Sequence, residues 1–262
     1  MAPCFYTLTV YAPNMEFITQ MVLSGILSAA LSVIAYKFRM LTFSGAIASF
    51  FVGYTVGVFG SVYWLILLVA FTFVGLAATK VDFGEKRRNN LQEGDYGERT
   101  HRNVLGAGLP ACLVAVLYGV LHVFFGKDYD LAVTVAFITV LSVAAADTVA
   151  SEIGIRDKRV WLITTFERVK RGTNGGVSVL GTLSSLAAAA FTGAVGWLLI
   201  FGGLGADGIY ILVPITMGVA GSLIDSVLGA TLERRGVISK YLNNAASALI
   251  AAAAGMAIVL FV

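Results

Sequence analysis

The chain has 262 residues, 58% of them hydrophobic and 13% charged, with a net charge of +3. Soluble domains run at roughly 45–50% apolar and about 25% charged, so a globule with a polar skin is excluded, as are a disordered chain, collagen and a coiled coil. A mean hydropathy of +0.86 leaves a polytopic membrane protein, and at about 20 apolar residues per span the length allows roughly eight to nine spans.

The first 16 residues contain no Lys or Arg. A secretory signal needs a basic start, so the first span is expected to stay in the mature protein. Cys4 and Cys112 lie far apart and offer neither metal spacing nor a disulfide framework. Apolar runs predict eight spans, at 17–36, 41–60, 61–79, 104–125, 131–150, 177–203, 208–231 and 244–262. The second and third abut, so a tight turn near Gly60 is expected; one long broken helix is the alternative. Small residues recur inside the spans, at Gly25, Ser28 and Ala29, at Gly45, Gly53 and Gly57, at 187–190 and at 251–255. Such faces let helices pack closely in lipid.

Eight spans with the N-terminus outside place segments 37–40, 80–103, 151–176 and 232–243 in the cytoplasm. Every one of the 18 Lys and Arg residues except Lys127 then falls on that side, as the positive-inside rule requires. The expectation is an all-α membrane helix bundle of about eight transmembrane helices, with both termini outside. It forms a single integral membrane domain over 1–262. Loops 80–103 and 151–176 are too short to fold alone, so they fold against the helix ends and form a polar site facing the cytoplasm of the cell membrane.

Acidic residues within spans are costly and are functional candidates by default. Asp147 lies near the inner end of the fifth span, in AADTVASEIG (145–154), and Asp225 near the inner end of the seventh, in GSLIDSVLGATLE (221–233). Glu152 and Glu233 lie one or two turns further in. Asp147 and Ser151 share a helix face at i,i+4; Asp225, Gly229 and Glu233 do so at i,i+4,i+8. Oxygen ligands at this density suit Mg²⁺, which takes one or two carboxylates plus substrate phosphates. The competing reading is that each Asp pairs with a nearby Arg or caps a helix.

Segment GTNGGVS (172–178) leads into the sixth span. A Gly-rich turn at a helix start offers backbone N–H groups and a positive dipole end to an anion. It is not a Walker A loop, and a flexible entry to the span is the alternative. The 80–103 loop interleaves Lys80, Lys86, Arg87, Arg88, Arg99 and Arg102 with Asp82, Glu85, Glu93, Asp95 and Glu98. Many of these cations serve the inside bias or lipid heads; the remainder are candidates to clamp phosphate. His101 lies in this loop and could titrate. His122 sits alone near the outer end of the fourth span. No Ser/His/Asp set and no His/Cys cluster is visible, and Trp64, Trp161 and Trp197 fit interfacial or packing positions.

Four segments together resemble one integral-membrane family, that of plant phytyl-phosphate kinase and animal transmembrane protein 19, with archaeal and bacterial members. They are the loop from Lys80 to Asn103 ending in RNVLGAG (102–108), DTVASEIG (147–154), GTNGGVS (172–178) and IDSVLGATLE (224–233). The resemblance covers about residues 20–262 and is more distant to polyprenol kinases and CDP-lipid synthases. It implies phosphoryl transfer from CTP or ATP to an isoprenyl monophosphate, geranylgeranyl or phytyl phosphate, giving the diphosphate. No plastid-type leader is apparent, which fits a prokaryotic setting.

On this reading Asp147 and Asp225 hold Mg²⁺, with Glu152 and Glu233 as additional ligands. Gly172, Thr173, Asn174, Gly175, Gly176 and Ser178 cradle the triphosphate. Lys86, Arg99, Arg102 and Arg168 neutralise the phosphates and Asn103 orients one. The prenyl tail enters from the lipid between small-residue faces. Partners are the prenyl phosphate, the nucleotide and membrane lipids, with a homo-oligomer possible and no nucleic acid. A CTP-dependent lipid cytidylyltransferase and a cation-coupled transporter are the alternatives.

Overall fold

The computed structural model describes residues 15–89, 92, 94, 96–203 and 206–261; Cys4, Glu93, Asp95 and both chain ends lie outside the described residues. Eight apolar helices carry the fold: α1 (Met15–Lys37), α2 (Phe43–Phe59), α3 (Val62–Lys80), α5 (His101–Phe125), α6 (Asp130–Gly154), α7 (Val179–Phe201), α8 (Leu212–Leu228) and α9 (Lys240–Phe261). A short helix, α4 (Phe83–Arg88), lies between α3 and α5. Each apolar helix begins and ends within four residues of its predicted span. Among the described residues seven helices are long and apolar enough to cross a membrane. The shorter one is α2; its 17 residues span about 26 Å, a few ångströms less than the hydrocarbon core.

The expected turn at Gly60 separates α2 from α3. Gly60 N–H closes on the Val56 carbonyl at 3.0 Å, and the Ser61 hydroxyl caps α3 by accepting from Trp64 N–H at 3.3 Å. The last carbonyls of α2 would otherwise face lipid unpaired, which is costly. The Gln20 amide of α1 meets those of Gly57, Val58 and Gly60 at 2.8, 3.1 and 3.2 Å.

Two kinds of packing build the bundle. α1 lies on α2 through small residues: a Cβ on Gly57 would stand 2.4 Å from Ser24 Oγ, and one on Gly53 would stand 2.8 Å from Ser28 Oγ. Ser24, Ser28 and Ser32 are buried there, and among the described residues their hydroxyls have no hydrogen-bond partner. α6 is the hub, packed by α3, α5, α7, α8 and α9. Every residue from Ala132 to Val143 is buried, as expected of a helix apolar all round. Trp64 stacks on Phe137 of α6 with centroids 4.0 Å apart, and Trp197 is likewise buried, so both are packing residues. His122 is not alone: Nδ1 lies 3.0 Å from Asp130 Oδ1, and its ring stacks on Tyr118.

The connections after α1, α3, α6 and α8 meet at one end of the bundle. Thr42 N–H donates to Arg99 O at 3.1 Å and Arg99 N–H to Met40 O at 2.9 Å. Asp82 pairs with Arg156 at 2.7 Å and Glu85 with Arg171 at 3.5 Å, tying α4 to the segment after α6. That segment contains a small antiparallel sheet that the sequence reading did not anticipate: β1 (Val160–Leu162), β2 (Arg168–Val169) and β3 (Gly176–Val177), in the order β2-β1-β3. Trp161 is its centre, paired with Arg168 on one side and Val177 on the other.

Candidate functional site

At this polar end a cavity of about 390 Å³ opens between α6, α7, α8, α9 and the turn before β3. α6 and α8 bring their C-terminal ends to it; α7 and α9 bring their N-terminal ends. The helix dipole makes the first pair negative and the second positive. The acids stand at the negative ends. Asp147 and Glu152 sit in the last turns of α6, Asp225 in the last turn of α8, and Glu233 just beyond it. Carboxylates placed against the dipole call for nearby positive charge, which Lys240 and Arg99 bring to Asp147.

Asp147 and Asp225 are half-buried, and their carboxyl groups lie within hydrogen-bonding reach of each other. Lys240 and Arg99 act on Asp147 from the other walls. Asp225 Oδ1 accepts from the Ser247 hydroxyl at 3.3 Å and, with the Asn244 amide oriented to donate, from that amide at 3.3 Å.

Glu233 is held apart from the pair. After Leu228 the helix opens into one π turn, Gly229–Glu233, where Arg234 N–H reaches back to Gly229 O at 3.2 Å. The extra residue breaks the predicted i,i+4,i+8 face. π turns recur at functional sites, and this one hands Glu233 to two amides. Asn174 donates to Oε1 at 2.7 Å and Asn243 to Oε2 at 3.1 Å. Glu152 is held too. Oε2 accepts from Lys86 at 2.7 Å, and Oε1 lies 3.3 Å from Arg99 Nη2 and 2.9 Å from the Thr79 hydroxyl. Among the described residues no three His, Cys, Asp or Glu side chains converge on one point. The acids therefore form a central pair, Asp147 and Asp225, with Glu152 and Glu233 braced on either side. Two carboxylates completed by phosphate oxygens and water are a normal Mg²⁺ donor set, so the residues present fit that ion.

The Gly-rich segment also lines the cavity, from Gly172 to Ser178. Gly175 has φ +77°, and a Cβ there would stand 2.4 Å from Ala230 Cβ; only glycine lets this strand press on the π turn. The Thr173 hydroxyl donates to Lys170 O at 2.7 Å. Ser178 is buried and caps α7, accepting from Gly181 N–H at 3.1 Å. The first turn of α7 is therefore capped, by Ser178 at Gly181 and by the Asp157 carboxylate at Leu180 N–H, and it contributes Gly181, Thr182 and Ser185 to the cavity wall.

The predicted cations divide. Arg99 lines the cavity. Lys86 lies beneath it at 3% exposure, donating to the Ala78 and Thr79 carbonyls at 3.1 Å each as well as to Glu152. Its three ammonium protons are taken up in closing the end of α3. Arg102 is exposed on the first turn of α5 and Arg168 exposed on β2, both off the cavity wall. Asn103 caps α5, its Oδ1 accepting from Thr100 N–H at 3.0 Å and Thr100 Oγ at 2.8 Å. The His101 ring lies 3.1 Å from the Ser44 hydroxyl and is exposed.

The start of α9 was missed. Lys240 and Asn244 line the cavity, while Asn243, 1% exposed, ties Glu233 to the Asp225 carbonyl at 3.0 Å. A signal was present: Lys240, Asn243, Asn244 and Ser247 are polar at i,i+3,i+4,i+7, one face of the last span.

The chain belongs to the family described as integral membrane protein DUF92, whose model matches residues 26–259. An uncharacterized membrane protein of Methanocaldococcus jannaschii is 33% identical over 227 residues, covering 86% of this chain and 89% of that one. Protein PGR of Arabidopsis thaliana is 33% identical over 237 residues, covering 84% and 81%. Protein VTE6, chloroplastic, of the same plant is 38% identical over 163 residues, covering 61% of this chain and 47% of its own length. No solved structure matches.

Proposed function

We propose, from that membership and from this cavity, that the chain is a prenyl-phosphate kinase. It moves a phosphoryl group from CTP or ATP to geranylgeranyl or phytyl monophosphate, on the cytoplasmic face of the cell membrane. The observation that carries the reading is the meeting in one cavity of the Asp147–Asp225 pair, the 172–178 segment and Arg99. These come from all four of the segments that resemble the phytyl-phosphate kinase family. The basic residues crowd the same end, which supports a cytoplasmic site.

Phosphoryl transfer asks mainly for positioning and charge neutralisation. Asp147 and Asp225 would hold Mg²⁺, which supplies charge neutralisation across the phosphates of the donor. The 172–178 segment receives the triphosphate. Arg99 and Lys240 face the phosphates from the other walls. Glu152 and Glu233 keep Arg99 and the turn in place. A phosphate monoester has a second pKa of about 6, so the acceptor is already a dianion near neutral pH. No general base is needed, consistent with a site built without histidine.

The test is transfer by purified protein in nanodiscs with Mg²⁺, each of CTP, ATP, UTP and GTP, and geranylgeranyl or phytyl monophosphate. Prenyl diphosphate is expected from the wild type. Asp147→Asn and Asp225→Asn should stay folded and lose about a thousandfold or more, the scale of the several kcal/mol that metal-borne charge stabilisation supplies. Full activity in either variant refutes the metal assignment.

A further inference from the structure

A second cavity, of about 180 Å³, adjoins the polar one and shares Arg99, Thr148, Lys240 and Asn244 with it. Its character is opposite. Away from the shared wall it runs between α1, α2, α3 and α5 and is lined by groups such as Leu31, Val52, Leu68, Leu76, Val104 and Ala107. α1 packs chiefly on α2 and touches α3 only lightly, so the far side is a slot between α1 and α3. Its rim carries Ile34 and Phe73, 48% and 56% exposed on the lipid-facing surface. One path therefore leads from the Asp147–Asp225 site, past two cations, through an apolar chamber and out to lipid.

We propose that this chamber seats the first isoprene unit of a lipid monophosphate whose phosphate lies at the shared Arg99–Lys240 wall, the rest of the tail leaving between α1 and α3. The proposal rests on the kinase reading for the identity of the head group. Two features select the occupant: continuity with the polar cavity, and a cationic wall where the two cavities meet. Volume sets how much of it is read. An apolar cavity of roughly 150 Å³ takes one benzene ring. On that scale the chamber takes on the order of seven carbons, one isoprene unit and the start of the next. Phytyl and geranylgeranyl chains share their allylic first unit and differ in saturation only from the second onward. The chamber thus accepts both, and tail length beyond it is not discriminated.

The experiment is photolabelling in nanodiscs without nucleotide. Two geranylgeranyl monophosphate probes are compared, one with a diazirine on the first unit and one on the last. The first is expected to label residues within 49–53, 68–76 and 103–108, with at least tenfold competition by phytyl monophosphate. The second is expected to label lipid-facing positions beyond Ile34 and Phe73. Ala107→Phe, which fills the chamber, should cut first-unit labelling at least tenfold; Ser49→Leu serves if that variant does not fold. First-unit labelling elsewhere, last-unit labelling of the chamber walls, or unchanged labelling in the filled variants overturns the proposal. Because labelling needs no turnover, adducts in the chamber with no transfer leave the lipid seat standing and remove the kinase. Transfer with adducts elsewhere does the reverse.

Discussion

Replacing Glu152 with Gln separates a brace from a metal ligand. Glu152 is 13% exposed and Lys86 3%, so solvent screens their 2.7 Å pair only weakly. Removing one partner of a buried ion pair costs about 3–5 kcal/mol, because the other charge is left uncompensated. Gln keeps one oxygen for Arg99 and Thr79, and the Lys86 ammonium keeps the Ala78 and Thr79 carbonyls, so the low end applies. The expected loss is about 3 kcal/mol, on the order of a hundredfold in the folded-to-unfolded ratio. The assay is equilibrium unfolding in mixed micelles without Mg²⁺ or nucleotide. Adding Lys86→Met, which removes the orphaned ammonium, should recover part of the loss. If Glu152 instead served mainly to hold a cation, its neutralisation without that cation would relieve repulsion with Asp147 and raise stability. Stability that rises, or that changes by less than about 0.5 kcal/mol, refutes the bracing role.

Gly175→Ala is expected to push the 172–176 turn off the π turn and to cut transfer at least about tenfold; Gly236→Ala has a similar φ of +71° but nothing within 4 Å of its Cβ. The control should therefore pay only a local backbone cost of about 1 kcal/mol and keep its activity, and equal loss in both refutes the packing argument. At the α1–α2 contact, Ser24→Ala removes a buried hydroxyl that has no partner among the described residues and is expected to leave unfolding in micelles unchanged or slightly improved. Gly57→Leu, whose Cβ would lie 2.4 Å from Ser24 Oγ, should separate the helices, seen as a loss of cross-linking between cysteines placed at 25 and 54.

The spans were legible because apolar length is what the bilayer demands, and no tertiary contact competes with it. Asp147 and Asp225 were legible for the same reason, as carboxylates where lipid tolerates few. The 160–177 sheet was not, since strands of two and three residues carry no readable period. Lys86 was misplaced because its loop composition says nothing of the three acceptors that surround it. Its burial depends on α3 ending beside Glu152, a contact 66 residues away in sequence. The π turn was invisible in GATLE (229–233), where the pattern suits an ordinary helix equally well. Asn243 and Asn244 fall on either side of the boundary drawn between the 232–243 segment and the last span, though their spacing from Lys240 and Ser247 carried the face.

The position of α6 has a consequence for how the protein is made. In the finished bundle α6 is walled in on all sides, yet α7, α8 and α9, which supply much of that wall, leave the ribosome after it. For a time α6 must stand in lipid without them. Its hydropathy of 1.9 suits it to that interval, when partitioning and not packing keeps it in place. A carboxylate at mid-membrane would raise the cost of this stage by about 2.5–3.5 kcal/mol on the insertion scale. Asp147 escapes most of that penalty because seven residues, about 10 Å of helix, separate it from the polar end at Gly154. The depth of the acidic pair is thus set from two directions: deep enough to line the cavity enclosed by α6, α7, α8 and α9, shallow enough for its helix to enter the bilayer before its neighbours exist.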